Sequence, residues 1–305
     1  MLRFVILIIF IGFSSSYAGE SGYQFLRVGV PAKATGLGDT YVSQFGDVNT
    51  FMYNPAGLSK LSHRQFSAGY MNHILDIGSG YAAYAQPYKD IGVFGAGLVY
   101  FGYGDFQGYD ASGYETSSFS SSDYALSLFY ARQLKENVHF GATVKIIRSA
   151  IENYSSGAVA VDLGAIYVLQ QYDMQLGASL LNAGFATHAF LDHKEKLPLS
   201  LQLGVSRKWN FTTFGLNLSD LNLPGNRLKR FAVSAEADPW EKISMRIGYN
   251  LQRKSELDLK GSGFLNGAAG LSAGLGFKHQ NYVFDYSFSS WGIGAVNRFS
   301  LTVNL

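Results

Sequence analysis

The sequence contains no cysteine and little charge. Of its 305 residues, 15% are charged, and the formal net charge is only +2. Without cysteine the chain has neither a disulfide nor the lipidated cysteine of a lipoprotein. Average soluble domains carry roughly 25% charged residues, so this composition is unusual for a soluble protein. The small net charge gives no indication of nucleic-acid binding.

Long apolar runs are also scarce. The clearest one spans residues 4–13 and follows Arg3, and Ser16 and Ala18 form a small-x-small cleavage site. These features predict a signal peptide over residues 1–18. About ten apolar residues are too few for a helix that crosses a bilayer, which needs about 20. No comparable run follows, so the sequence predicts no transmembrane helix.

What the sequence has instead is glycine and aromatic residues in alternating patterns. It contains 35 Gly, 20 Tyr and 23 Phe, and 47% of its residues are hydrophobic. In residues 197–209, for example, Leu201 and Leu203 alternate with Gln202 and Gly204. A period of two with one apolar face is the pattern of a β-strand. Combined with low charge and abundant aromatic residues, it favours a transmembrane β-barrel, whose outer face is apolar.

About fourteen such runs occur, and most have a length near the 9–11 residues that a tilted strand needs to cross a bilayer. We predict strands at residues 65–72, 78–88, 91–102, 122–134, 138–152, 157–169, 172–184, 197–209, 211–220, 229–238, 241–252, 268–279, 281–289 and 297–305. Short links alternate with long ones, as expected for short periplasmic turns and longer outer loops. The short links lie near Lys89, Glu136, Gln171, Asn210, Pro239 and Gln280, and the long ones are residues 103–121, 185–196 and 253–267.

The predicted fold is therefore all-β, a transmembrane outer-membrane β-barrel of about 14 antiparallel strands over residues 62–305. A soluble sandwich or propeller is the alternative, although no repeat of about 40 residues supports a propeller.

Residues 29–61 lack the alternation of the rest of the chain and are rich in Gly and Ala. Asn54 is suited to cap a short helix, Pro55 to its first position and Gly57 to its end. We expect residues 19–61 to form a short periplasmic lead-in, residues 20–28, followed by a plug inside the barrel. An ordinary glycine-rich loop is the alternative.

The same segment contains Ala34-Thr35-Gly36-Leu37-Gly38-Asp39, Asp47-Val48 and Tyr53-Asn54-Pro55-Ala56-Gly57-Leu58. These residues resemble the N-terminal signature of the PorV/PorQ family, outer-membrane barrels related to the FadL-type transporters. Lys33 stands where the family usually has arginine and keeps the charge. The plug motif consists of Gly36, Gly38, Asp39, Asn54, Pro55, Ala56, Gly57 and Leu58.

The resemblance implies an outer-membrane component of type IX secretion, with other secretion components and the C-terminal signal domains of cargo as partners. FadL-type relatives imply instead the transport of a hydrophobic ligand through a plugged lumen and a lateral opening. Both functions place the chain in the bacterial outer membrane, in contact with lipid and lipopolysaccharide and not with nucleic acid. A structural barrel or adhesin is a third alternative. The signature favours the secretion function, because it is closer to PorV/PorQ.

Several charged residues fall on the inward phase of the predicted strands. They would either line the lumen and contact a substrate, or form ion pairs that hold the plug. These residues are Lys145, Asp162, Glu236, Arg246, Lys278, Asp285 and Arg298.

Enzymatic motifs are missing. The sequence has no G-x-S-x-G, no H-E-x-x-H and no phosphate-binding loop, so we predict neither an enzyme nor a cofactor. One predicted outer loop contains His188, Asp192, His193 and Glu195. A solvated polar loop is the simpler interpretation of this group, and we predict no metal site.

Overall fold

The computed structural model describes residues 22–73, 77–190, 194–225, 230–257, 268–291 and 294–305. The predicted signal peptide and residues 192 and 193 lie outside these ranges. The strands form one closed antiparallel barrel in which each strand pairs with its neighbours in sequence and β1 pairs with β14. The predicted fold class, a closed barrel of 14 strands, is confirmed.

The strands lie close to the predicted spans. They are β1 (Gln65–Asn72), β2 (Gly78–Tyr88), β3 (Gly92–Phe106), β4 (Phe119–Lys135), β5 (Val138–Ile151), β6 (Tyr154–Leu169), β7 (Met174–His188), β8 (Ser200–Trp209), β9 (Thr212–Leu218), β10 (Phe231–Trp240), β11 (Ile243–Asn250), β12 (Leu271–His279), β13 (Tyr282–Ser290) and β14 (Ala295–Asn304). Tight turns join β2 to β3 and every second pair after that. We call this end of the barrel the short-turn end and the opposite one the long-loop end.

The main differences from the predicted spans lie at the long-loop end. β3 continues to Phe106, β4 begins at Phe119 and β6 begins at Tyr154, so this side of the wall is taller. The chain after β11 forms a helix, α2 (Leu251–Leu257), where the sequence predicted the last residues of a strand. Beyond the apolar band both faces of a strand meet water, so the alternation that marks a strand is lost.

The two faces of the wall differ as the alternation requires. Large apolar side chains such as Leu128 and Leu203 are exposed on the outside, whereas Ser127 and Ser206 are buried on the inside. An exposed apolar outer surface is what a bilayer-spanning barrel presents to lipid. Among the described residues, no helix is long and apolar enough to cross a membrane.

Residues 29–61, which we call the plug, lie inside the barrel. They contain the short helix α1 (Ala32–Gly36) and two 3-10 helices, Val48–Met52 and Pro55–Lys60. The Pro55–Lys60 helix packs on β4, β5 and β6, whereas α1 packs on β11 to β14. The plug therefore touches opposite sides of the wall.

The residues before the plug are also inside. A 3-10 helix, Gln24–Arg27, carries Phe25, whose ring lies 5.7 Å from that of Phe101 on β3. The Tyr23 hydroxyl is hydrogen-bonded to Ser156, at the long-loop end of β6. The expectation of a periplasmic lead-in is therefore wrong for residues 22–28, which extend through the lumen toward the long-loop end. Tyr23 and Phe25 make this path favourable because both are buried in an apolar cluster there.

Candidate functional site

A belt of inward-facing glycines surrounds the plug. At Gly141 a Cβ atom would lie 2.6 Å from Pro55 O, and at Gly248 it would lie 2.8 Å from Gly38 Cα. Real Cβ atoms do not approach other atoms so closely, so the plug backbone fits only because these wall positions lack side chains. The belt consists of Gly97, Gly141, Gly164, Gly177, Gly204, Gly215, Gly248 and Gly274, on eight of the strands. It allows the plug to close the lumen near the short-turn end.

The first half of the plug motif is in close contact with this belt. Gly36 is buried against Gly274, where a Cβ on Gly36 would lie 3.1 Å from the Gly274 Cα. Gly38 and Asp39 have positive φ angles of 61° and 67°, which glycine adopts readily and aspartate tolerates. This left-handed turn directs the chain along the wall, and Asn250 donates a hydrogen bond to the Gly38 carbonyl at 3.1 Å.

The second half of the motif begins the Pro55–Lys60 helix. Asn54 Oδ1 accepts a hydrogen bond from Ala56 N at 3.0 Å, and Pro55 occupies the first helical position. Asn54 Nδ2 donates to the Val42 carbonyl at 2.7 Å and to two wall carbonyls. Ala56 and Leu58 are completely buried.

Gly57 does not end this helix, contrary to the sequence prediction. The helix continues to Lys60, and a Cβ on Gly57 would lie 2.8 Å from Thr50 Cβ in the neighbouring 3-10 helix. The glycine is therefore required by the close approach of two parts of the plug.

Ion pairs connect the plug to itself and to the long-loop side. The Asp39 carboxylate pairs with Arg253 on α2 and accepts a hydrogen bond from the Tyr53 hydroxyl at 2.9 Å. Burial and the Asp39 carboxylate raise the pKa of Tyr53 well above its usual value, so the hydroxyl stays protonated and donates. Lys33 Nζ lies 3.6 Å from the Asp47 carboxylate within the plug.

Lys145 and Asp162 form a buried ion pair inside the wall. Lys145 Nζ lies 2.7 Å from Asp162 Oδ2 and donates to Asn182 Oδ1 at 2.8 Å. Asp162 Oδ1 also accepts the backbone N–H of Asn182 at 2.7 Å. The pair therefore connects β5, β6 and β7.

A second group of charged wall residues lies on the opposite side. Arg246 Nε donates to Glu236 at 2.8 Å, and Arg246 Nη1 donates to Asp285 at 2.6 Å. Gly276 makes this reach across β12 feasible, because a Cβ there would lie 2.8 Å from both Arg246 Nη2 and Asp285 Oδ1. Lys278 is exposed at the short-turn end of the same strand.

Arg298 is the one inward-phase candidate that bonds the plug directly. Its Nε donates to the Gly29 carbonyl at 2.9 Å, and its side chain is completely buried. The seven candidates thus divide into two wall clusters, one plug contact and one exposed lysine. Of these seven, Lys145 alone borders a cavity in the lumen.

A cavity of about 340 Å³ lies in the lumen between the plug, residues 24–29 and the wall. Its apolar lining includes Phe25 and Leu26 from the N-terminal segment, Met52 from the plug and Val99 from β3. Its polar lining includes the Asp39–Arg253 ion pair, the Arg27–Asp220 ion pair and Lys145. The lining includes Phe25, Arg27, Asp39, Met52, Val99, Ser127, Lys145, Leu181, Asn182, Asp220 and Arg253.

The wall beside this cavity is irregular. The β6–β7 ladder changes register between Val161 and Leu163, and Asn182 on β7 has a positive φ of 59°. The β7–β8 ladder ends at the pair Leu181–Ser200. β7 therefore contains a bulge. The backbone N–H of Asn182, which loses its ladder partner there, donates to the Asp162 carboxylate instead.

No metal-binding arrangement is present in the described ranges, in which no group of three or more His, Asp or Glu side chains is suitably clustered. Of the four loop residues considered above, His188 and Glu195 are described. The Thr187 hydroxyl is hydrogen-bonded to His188 at 3.3 Å.

Comparison with known proteins gives a match in fold and none in sequence. No family model and no curated protein matches the chain. The toluene transporter TodX of Pseudomonas putida is 14% identical and covers 88% of this chain and 96% of its own, with a TM-score of 0.59. The CymD monoaromatic hydrocarbon channel is 12% identical and covers 91% and 98%, with a TM-score of 0.61. A Pseudomonas aeruginosa FadL homologue is 11% identical and covers 90% and 98%, with a TM-score of 0.58.

The fold is that of these barrels. At such low identity the likeness concerns the fold alone. The resemblance of the N-terminal signature to PorV/PorQ stays a prediction.

Sequence reasoning missed three parts of this site. The glycine belt could have been found in the sequence, since its glycines fall on the inward phase of the predicted strands. The β7 bulge had only a weak signal in the sequence, since the consecutive Leu180 and Leu181 interrupt the alternation there. The contribution of Phe25 and Arg27 to the lumen was hidden by their position between the signal peptide and the plug.

Proposed function

We propose that this protein resides in the outer membrane and passes hydrophobic small molecules through its plugged lumen. The observation that carries the proposal is the cavity of about 340 Å³, whose lining includes Leu181 and Asn182 at the β7 bulge. Ligand pockets typically have volumes of about 300–1,000 Å³ and combine an apolar lining with a few polar groups. The fold likeness to a toluene transporter and a monoaromatic hydrocarbon channel supports this choice.

The arrangement of the lumen favours a lateral exit. The glycine belt holds the plug against the wall on the short-turn side, and residues 22–28 cover the cavity on the long-loop side. The ladder beside the cavity is interrupted at β7, where Leu181 is the last residue paired with β8. A ligand in the cavity is therefore separated from the lipid by a part of the wall in which strand pairing is interrupted.

The secretion hypothesis depends on the N-terminal signature. The residues that carry the resemblance, such as Gly36, Asn54 and Leu58, are completely buried. The packing of the plug against the wall explains why these residue types occur in the motif. Because the residues are buried, they present no surface to which cargo could bind. We therefore place hydrophobic transport first, which reverses the preference that the sequence suggested.

Uptake by a cavity-filling variant tests the proposal. Leu181 is buried and borders the cavity, so Leu181→Trp should fill the space beside the bulge. Leu163 is exposed on the outer face of neighbouring β6, so Leu163→Trp adds the same ring toward lipid. We expect uptake of labelled toluene by proteoliposomes to fall several-fold for Leu181→Trp and to stay near wild type for Leu163→Trp.

Heat-modifiable gel mobility should first establish that both variants are folded. Equal uptake by the two folded variants would contradict the lateral path. Uptake by wild-type proteoliposomes no faster than by protein-free liposomes would contradict the function itself.

A further inference from the structure

The charges that border the lumen cavity are already compensated. Its three cations each have a carboxylate partner, and both of its carboxylates have a cation. An anionic ligand would have to break one of these pairs and leave a carboxylate without its partner in a poorly solvated site, which is strongly unfavourable. The pairs are Arg27 with Asp220, Lys145 with Asp162, and Arg253 with Asp39.

Ser127 is a polar side chain at the cavity without a partner among the described residues, as is the indole N–H of Trp291. Ser127 on β4 is 1% exposed and lines the cavity, and its hydroxyl makes no hydrogen bond to any described residue. Buried hydroxyls without a partner are uncommon and call for an explanation, such as a ligand. In the β4–β5 ladder Ser127 lies directly opposite Lys145.

Lys145 reinforces the polarity of this wall. An ammonium group has three donors, of which one is used by Asn182 Oδ1, and the group also lies 2.7 Å from Asp162 Oδ2. A donor therefore remains for an acceptor near Ser127, because residues that face each other on paired strands lie about 5 Å apart at Cβ. The lining also includes the apolar side chains of Phe25 and Val99.

We propose that the cavity selects uncharged, ring-sized molecules that carry one hydroxyl or carbonyl oxygen. The oxygen hydrogen-bonds the Ser127 hydroxyl and accepts a hydrogen bond from the Lys145 ammonium group, while the apolar body packs against Phe25, Val99 and Leu181. This inference rests on the proposed function, because it names the class of molecule that the transport site accepts.

Three probes with the same tolyl ring separate the alternatives: toluene has no oxygen, p-cresol has a neutral hydroxyl and 4-methylbenzoate has a carboxylate. Calorimetric titration of the purified barrel should give p-cresol an affinity roughly three- to tenfold higher than toluene, the usual net value of one hydrogen bond. We expect 4-methylbenzoate to bind more weakly than either.

Ser127→Ala should lower the affinity for p-cresol to that for toluene and leave the affinity for toluene unchanged. Ser179 provides the matched control. It is a buried inward-facing serine on β7, 2% exposed, whose hydroxyl also has no partner but does not border the cavity. Ser179→Ala should therefore preserve the preference for p-cresol.

Equal affinities of the wild-type barrel for toluene and p-cresol would overturn the inference, as would an undiminished preference in Ser127→Ala. Tighter binding of 4-methylbenzoate would overturn it too, since an ion pair would then have to open. In these cases the transport proposal stands if toluene still binds and is taken up. Binding of none of the three probes would remove both proposals.

Discussion

Replacing Gly248 with alanine should unseat the plug while leaving the barrel able to fold. A Cβ on Gly248 would lie 2.8 Å from Gly38 Cα, and closer still to Leu37 C and Gly38 N. Ordinary carbon–carbon contact requires about 3.5–4.0 Å. The plug backbone must therefore move by roughly 1 Å at a point where Asn250 also bonds Gly38.

The size of the effect follows from the rigidity of both partners. Overpacking a well-packed interior typically costs about 1–3 kcal/mol, and a clash between two backbones should lie at the upper end. About 3 kcal/mol would change the ratio of seated to unseated plug roughly 100-fold. An unseated plug opens the lumen near the short-turn end, so small polar solutes should cross.

A liposome-swelling assay with a small sugar measures this permeability, with heat-modifiable mobility as the test of folding. Gly80→Ala is the control, because its added Cβ would meet only Gly69 O, at 3.3 Å. Faster swelling is expected for Gly248→Ala alone. A folded Gly248→Ala barrel as tight as wild type, or equal leakage from Gly80→Ala, would refute the argument that the glycine belt seats the plug.

Three further predictions concern the wall and the loops. Leu203→Arg should impair membrane insertion, since a charge on the lipid face of a barrel costs about 2–4 kcal/mol. Gln202→Arg places the charge inward and should insert. Equal heat-modifiable mobility of the two variants would show that the assignment of these residues to the two faces is wrong. Because the chain lacks cysteine, Gly113→Cys should react with an impermeant thiol reagent on intact cells and Glu136→Cys should not; the reverse labelling would invert the topology. Replacing residues 107–118 by a Gly-Ser turn should leave toluene uptake unchanged; loss of cargo display at the cell surface with normal uptake would revive the secretion hypothesis.

The strands could be predicted because lipid on one side and a filled lumen on the other impose a strict period of two. Residues such as Leu203 and Gln202 show this directly in the sequence. The alternation is lost where the two faces of a strand have the same surroundings. Near Phe106 and Phe119 both faces lie beyond the apolar band, so the extensions of β3 and β4 carry no alternation.

The candidate site was only partly predictable. Asn54 and Pro55 carry local helix-start chemistry, which sequence spacing displays. The contact between Gly248 and Gly38 is instead a long-range fact that depends on how the barrel closes. The same is true of Lys145, whose partners on β6 and β7 are brought together by strand pairing and by a bulge at Asn182.

The most direct test of the central claim is a crystal structure of the barrel grown with 4-bromotoluene, with anomalous scattering used to locate the bromine. We predict an anomalous peak in the lumen cavity between Met52, Val99 and Leu181, beside the β7 bulge. Anomalous peaks confined to the outer, lipid-facing surface, with none in the cavity at saturating ligand, would contradict the account.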